Sequence, residues 1–352
     1  MSYVSAFLKR APHTLMFWLV IAIFGAAAIR AAYPNDDFDE VRTGEQPLEV
    51  AGTDDGVWVL NYADHSVSLI NPTSNEEVFE KVVGDDVAPA LSANDDGAWL
   101  ILEGGQTIGR IDADSQEIAD RFDVTEVLDE GTVAQDLAAG DGFVWITTGE
   151  AGQMVRLDTG SGEFDDPIDL DQSVVQPQIV GDALWVNQTD GVTEYDNTSG
   201  EQLRQLDTTA SRVHDFYATE DFVYLLINTD PIEEIGTLVR MDPDNDEVSA
   251  ESSPARRRLQ KFTPTHLTAV GDQVFVTGTL GQVHELESDP DSNQLTEIAT
   301  EQVTVSTKDL RTVIILDETM WIADGTNGVV FQNINDIEGE VETDDTTPGG
   351  AG

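Results

Sequence analysis

An all-β fold, a seven-bladed β-propeller preceded by one N-terminal apolar helix, is what the sequence predicts, on three observations. A short unit recurs seven times: a Gly/Asp-rich turn followed by a hydrophobic strand centred on an aromatic residue. The aromatics are Trp58, Trp99, Trp145, Trp185, Tyr224, Phe275 and Trp321, spaced by 41, 46, 40, 39, 51 and 46 residues. No amphipathic helical pattern appears after residue 35.

Each unit reads as four short strands. A second element follows the first five aromatics, a hydrophobic–Asp/Asn pair at a turn and then Glu: Ile70-Asn71, Ile111-Asp112, Leu157-Asp158, Tyr195-Asp196 and Met241-Asp242. Asp, Asn, Pro and Gly are turn formers, and four strands per ~40–45 residues is the propeller period. One twisted four-stranded sheet cannot bury both faces alone, whereas seven packed radially can. The seven aromatics are therefore expected to fill the wedges between blades rather than to form a ligand cage.

The boundaries follow. Residues 1–33 form a signal anchor, residues 34–44 a linker and ring-closing strand, 45–338 the propeller, and 339–352 an acidic, Gly-rich tail of linker composition. Phe38–Gly44 has the pattern of an outer strand and is expected to pair around Val329–Asn333. Leu15–Ile29 is an unbroken apolar or small run, with Lys9 and Arg10 before it and Asp36, Asp37, Asp39 and Glu40 after it. The cationic flank stays inside, so residues 15–33 would hold the acidic body outside a cell membrane. Cleavage as a signal peptide, with Ala26 and Ala28 as the small residues, is the alternative and would give a secreted protein.

The chain has 352 residues, with 68 acidic against 17 basic and a formal net charge of −51. All the acids lie after residue 33. Phosphate binding needs clustered cations, so nucleic acid is excluded as a partner. Only four residues are lysine, and an acid-rich, lysine-poor surface of this kind suits a high-salt setting that screens self-repulsion. With no cysteine there is no disulfide, thiolate metal site or cysteine nucleophile.

The units resemble the YVTN-repeat, streptogramin-lyase-like and quinoprotein-like seven-bladed propellers. The resemblance rests on the Gly-Val-Trp-Val type strand and the Ile/Leu-Asp-Pro-x-Ser/Thr-x-Glu turn, over roughly residues 45–335. It implies fold rather than activity. The metal-supported histidine and glutamate of the lyases have no motif counterpart here. The tryptophan-docking motif of quinoproteins and the Trp-Asp ending of the WD40 class are absent.

Innermost strands line the channel of a propeller. Counting back nine to ten residues from each aromatic gives Glu49, Pro89, Gln135 with Asp136, Gln176, His214 with Asp215, His266 and Arg311. His214 and His266 are expected at equivalent places in adjacent blades. With Asp136 and Glu49 they are the catalytic candidates, as acid, base or ligands of a divalent metal. The bland reading is a solvated polar channel mouth. Asp242, Asp244 and Asp246 have the oxygen spacing of a calcium loop but lack its glycine and distal glutamate, which favours turn chemistry. Arg256, Arg257, Arg258 and Lys261 lie in the longest spacing. They are expected on a loop, either neutralising the acidic body or docking an acidic partner.

The functional expectation is a binding or protein-interaction platform for a protein or surface polymer. It needs no cofactor. The alternative is a lyase- or hydrolase-like enzyme at the channel mouth. The enzyme requires His214 and His266 to converge on one pocket, whereas the platform leaves them apart.

Overall fold

The computed structural model describes residues 38–208, 212–230, 235–243, 255–260, 263–279, 281–289, 294–303, 310–326 and 328–333. Residues 1–33, the tail 339–352, Asp244, Asp246 and Lys261 lie outside them. The described residues form seven four-stranded antiparallel sheets, the blades of a propeller. No helix among them is long and apolar enough to cross a membrane.

Six blades are built from consecutive strands. In blade 2 these are Leu91–Asn94, Gly97–Leu102, Thr107–Asp112 and Glu117–Asp123, running from the channel outward. Blade 7 is different. Its outer strand, Phe38–Arg42, comes from the start of the described chain and pairs antiparallel with Val329–Asn333. Phe38 meets Asn333 and Arg42 meets Val329, so the two ends of the propeller are joined within one sheet. A closed ring leaves only short edges, which is how this architecture avoids strand-edge association.

Burial follows strand position. Every residue of Gly56–Asn61 and of Gly97–Leu102 is buried, because a second strand is covered by neighbouring blades on both faces. The outer strand Glu117–Asp123 alternates exposed and half-buried residues, having one wet face. The glycine that opens the second strand is fixed by geometry. Gly56 and Gly97 adopt φ of 142° and 123°, and a Cβ there would lie 2.3 Å and 2.1 Å from the carbonyl oxygens of Ile70 and Ile111.

The repeated aromatics sit between blades. Trp58 shares a core with Ala98 and Leu100 of blade 2, and Trp99 with Val144 and Ile146 of blade 3. The pattern continues around the ring until Trp321 of blade 7 packs with Val57 and Val59 of blade 1. Trp58, Trp99 and Trp321 are wholly buried. Three indoles are also satisfied: Trp58 Nε1 donates to Thr53 Oγ1 at 3.2 Å, Trp99 Nε1 to Asn94 Oδ1 at 3.0 Å and Trp145 Nε1 to the Asn197 carbonyl at 3.0 Å.

Candidate functional site at the channel mouth

The first strand of each blade faces the channel, and five of these seven strands break register near their starts. An unpaired residue in a β-bulge re-aims the side chains around it. In blades 1, 3, 5 and 6 the residue nine before the aromatic faces, across the strand pair, the residue two after it. The pairs are Glu49–Leu60, Asp136–Thr147, Asp215–Leu226 and His266–Thr277. The same count falls on Ala90, Gln176 and Thr312 in blades 2, 4 and 7.

This corrects one expectation. Asp215, not His214, occupies the place equivalent to His266, because the break between Val213 and Asp215 leaves His214 unpaired. His214 is exposed, as are Pro89 and Gln135, each one residue further back.

Four blades are tied together at this level. Asp136 Oδ2 accepts from the Gln176 backbone N–H at 2.9 Å, and its Oδ1 from the Leu137 N–H at 2.8 Å. Gln176 Nε2 donates to Asp215 Oδ1 at 3.1 Å. Asp215 Oδ2 accepts from the Leu267 N–H at 2.9 Å and lies 3.3 Å from His266 Nδ1. Gln176 holds this bridge in a left-handed conformation, φ 51°, which is uncommon for a residue with a Cβ. Asn187 Nδ2 braces it by donating to Gln176 Oε1 at 2.8 Å. On the far side, the Thr312 hydroxyl of blade 7 lies 2.6 Å from Glu49 Oε2 of blade 1 and 2.9 Å from the Leu48 carbonyl. Blade 2 contributes only Ala90.

The channel sets the protonation states. Burial, and then the charge of Glu49, raise the Asp136 carboxyl to about 7. Burial also raises Glu49, against the opposing pull of His266 and the Thr312 hydroxyl. For His266, burial disfavours the charge, but Asp215, by charge and hydrogen bond, and Glu49 outweigh it and hold the imidazolium up to about 9. The His214 ring is solvent-accessible, yet the protein crowded around it lowers its pKa, against the pull of Asp215.

His214 instead lines a cleft of about 780 Å³ between blades 4 and 5. Ser173, Gln176, Asn187, Asp190 and Arg212 are among its other walls, and His266 is not. Among the described residues no three His, Asp or Glu side chains converge as ligands for one metal ion.

The remaining candidates lie elsewhere. Arg256, Arg257 and Arg258 are on a strand, not a loop. Ala255–Gln260 is the outer strand of blade 5, its solvent face accommodates long basic stems, and it pairs with Ile235–Met241. All three are exposed, and Arg257 Nη2 meets Glu297 Oε2 of blade 6 at 3.2 Å. Asp242 follows its strand where Asp112, Asp158 and Asp196 close theirs, and those three cap turns by accepting from the N–H three residues on, each at 2.7 Å.

Comparison with known proteins supports the fold. No protein-family model matches the sequence, and no curated protein matches it. Among solved structures, a catalytically inactive virginiamycin B lyase from Staphylococcus aureus with quinupristin is similar at TM-score 0.63 and 18% identity, over 84% of this chain and 98% of that one. Hydrazine synthase of Kuenenia stuttgartiensis is similar at TM-score 0.64 and 13% identity, over 82% and 95%. BamB from Moraxella catarrhalis is similar at TM-score 0.56 and 14% identity, over 84% and 98%. The chain's own seven sheets make it a seven-bladed propeller, and at these identities the likeness to the three structures concerns the fold alone.

Proposed function

We propose that this protein is a non-enzymatic binding platform, a propeller held outside a membrane by its N-terminal segment, in a high-salt setting. It receives a protein partner or a surface polymer on the loop face around the channel mouth. The observation that carries this reading is how the polar ring is used. Asp136, Gln176, Asp215 and His266 are spent on one another across four blades, and His214 lines a cleft that His266 does not reach. Catalytic groups must be free to touch a substrate, whereas these groups clamp the blades and so fix the loops above them.

One observation favours an enzyme instead. Asp215 orients His266 as a carboxylate orients a general base, and a lyase is among the similar structures. Calorimetric titration of the full-length chain in high salt with Mg²⁺, Mn²⁺, Zn²⁺ and Ca²⁺ separates the two. The platform predicts no saturable binding that depends on the histidines. Stoichiometric binding lost in a His214→Ala/His266→Gln variant that keeps its β-sheet circular dichroism would overturn it.

A further inference from the structure

The polar ring of the channel closes on itself, whereas the cleft between blades 4 and 5 holds polar groups that do not. Asn187 lines this cleft at only 6% exposure. Its Nδ2 is pinned by Gln176 Oε1 at 2.8 Å and the Val213 carbonyl at 3.4 Å, which fixes Oδ1 as the remaining acceptor. Among the described residues nothing donates to that oxygen, and it is not sealed from solvent, so it opens to the cleft. A pinned, nine-tenths buried amide with one open acceptor is a built feature, unlike a side chain waving in water. The Asp190 carboxylate on the same lining is also without a partner among the described residues, while the Asp190 backbone is braced, its N–H by Gln172 Oε1 at 3.3 Å and its carbonyl by the Thr208 N–H at 3.2 Å. His214, its pKa lowered, adds a neutral ring with one donor and one acceptor rather than a second cation.

We propose that this cleft binds a neutral sugar residue of a surface glycan, whose hydroxyls donate to Asn187 Oδ1 and to the Asp190 carboxylate. The inference deepens, and rests on, the reading of the protein as a binding platform for a surface polymer. Three carboxylates, of Glu150, Asp190 and Asp207, line the cleft against the one guanidinium of Arg212, so an anion is disfavoured there as it is by a body at −51. The acceptors call for a ligand rich in donors. An ammonium would serve them but be repelled by Arg212 and leave the N–H groups and hydroxyls of the lining unused. A sugar hydroxyl both donates and accepts, so one ring can use the carboxylates and Asn187 as acceptors and Arg212 and Ser173 as donors at once. Being neutral, it is indifferent to the field of the acidic body. Val175 and Val213 give the lining apolar surface for the C–H face of a ring. The volume, about 780 Å³, is within the range of small-ligand sites, ~300–1,000 Å³.

The test is saturation-transfer nuclear magnetic resonance on the full-length chain in high salt. The probes are glucose, mannose and N-acetylglucosamine, their trimers maltotriose, mannotriose and chitotriose, and spermidine as the cationic rival. Saturable transfer to at least one neutral sugar is expected, with the trimer bound more tightly than its monosaccharide. Asp190→Ala, at an exposed position, should weaken that binding roughly tenfold, the loss of a hydrogen bond to a charged group. Asp190→Asn keeps an acceptor without the charge and should fall between. No transfer to any sugar, or affinity unchanged in Asp190→Ala, would overturn the proposal. Binding of spermidine alone would give the cleft to a cation and overturn it equally, and no gain in the trimers would give it to a free sugar rather than a glycan. In each of those cases the platform reading stands, left to a partner elsewhere on the loop face. Shortening of the trimers during incubation would instead overturn the platform reading.

Discussion

Asp136 and Asp158 belong to the same blade and meet opposite fates. Asp136 opens the inner strand Asp136–Gly140, and Asp158 closes the third strand, Gln153–Asp158, at an outer turn. Each accepts two hydrogen bonds. Asp136 takes the N–H groups of Leu137 and Gln176, and Asp158 takes the N–H of Ser161 at 2.7 Å and its hydroxyl at 2.9 Å. The Asp136 pKa is nevertheless raised to about 7 by burial and by Glu49, while Ser161, through its backbone and then its side chain, lowers that of Asp158. Both carboxylates are hydrogen-bonded, so access to water and the sign of the neighbouring charge, Glu49 beside Asp136 and Arg156 beside Asp158, set them apart. In a chain this acidic, the informative carboxylates are the few drawn into the channel.

The largest consequence is at Asp136. Its folded pKa lies above the unfolded value, so the native state holds the proton more tightly. Stability from this group is greatest at acid pH and is lost as pH rises from near 4 to about 7, by on the order of 4 kcal/mol in total. Asp136→Asn removes the titration, at the cost of the acceptor facing the Gln176 N–H. The expected outcome is a flatter fall in stability between about pH 5 and about pH 7, whatever the offset, measured by denaturant unfolding at fixed high salt. A slope identical to that of the parent protein would mean that this carboxyl does not titrate there, and the contrast with Asp158 would collapse.

His266 supplies the next effect, with the opposite dependence of charge. Its folded pKa, about 9, is above the unfolded value because Asp215 and Glu49 outweigh burial. The stabilisation is fully present below about 6.5 and is lost as pH rises to about 9, on the order of 3 kcal/mol. His266→Gln should flatten the alkaline side of the stability profile and leave the Asp136 side in place. Nuclear magnetic resonance titration of the imidazole in the parent protein checks the same point directly. An imidazole that titrates near 6.5 would show that Asp215 does not hold it as a cation.

Much of the fold was legible in the sequence, for reasons that can be named. Trp58, Trp99 and their equivalents are regular because every wedge between blades needs one large filler. Gly56 and Gly97 recur because a backbone carbonyl leaves no room for a Cβ. Phe38–Arg42 reads as an outer strand through its pair of inward residues, Phe38 and Val41, with exposed ones between. The candidate site was legible only to within one residue. Glu49, Asp136, Gln176, Asp215 and His266 all fall at the ninth place before an aromatic, but His214 at the tenth looks just as chemical in the sequence. A bulge decides between them, and which residue a bulge leaves unpaired depends on cross-strand register rather than on local composition. The cleft was not legible at all, since Asn187, Asp190 and Arg212 reach it from separate strand ends that only the folded blades bring together. Arg256–Arg258 was misread as a loop because charge on the solvent face of an outer strand looks the same in sequence.

The smallest effect belongs to the outer turn and sharpens the contrast from the other side. The folded pKa of Asp158 is below the unfolded value, so its contribution exists at neutral pH and disappears as pH falls through that lowered value. Asp158→Ala should lower the melting temperature slightly at neutral pH, and the deficit should close on acidification. Asp158→Asn keeps an oxygen for the Ser161 N–H and should lose less. Blade 3 would then show its two aspartates responding to acid in opposite directions: replacing Asp136 removes a group that favours the fold when protonated, and replacing Asp158 one that favours it when charged. A deficit at Asp158 that grew on acidification would mean that the turn is held by something other than its carboxylate.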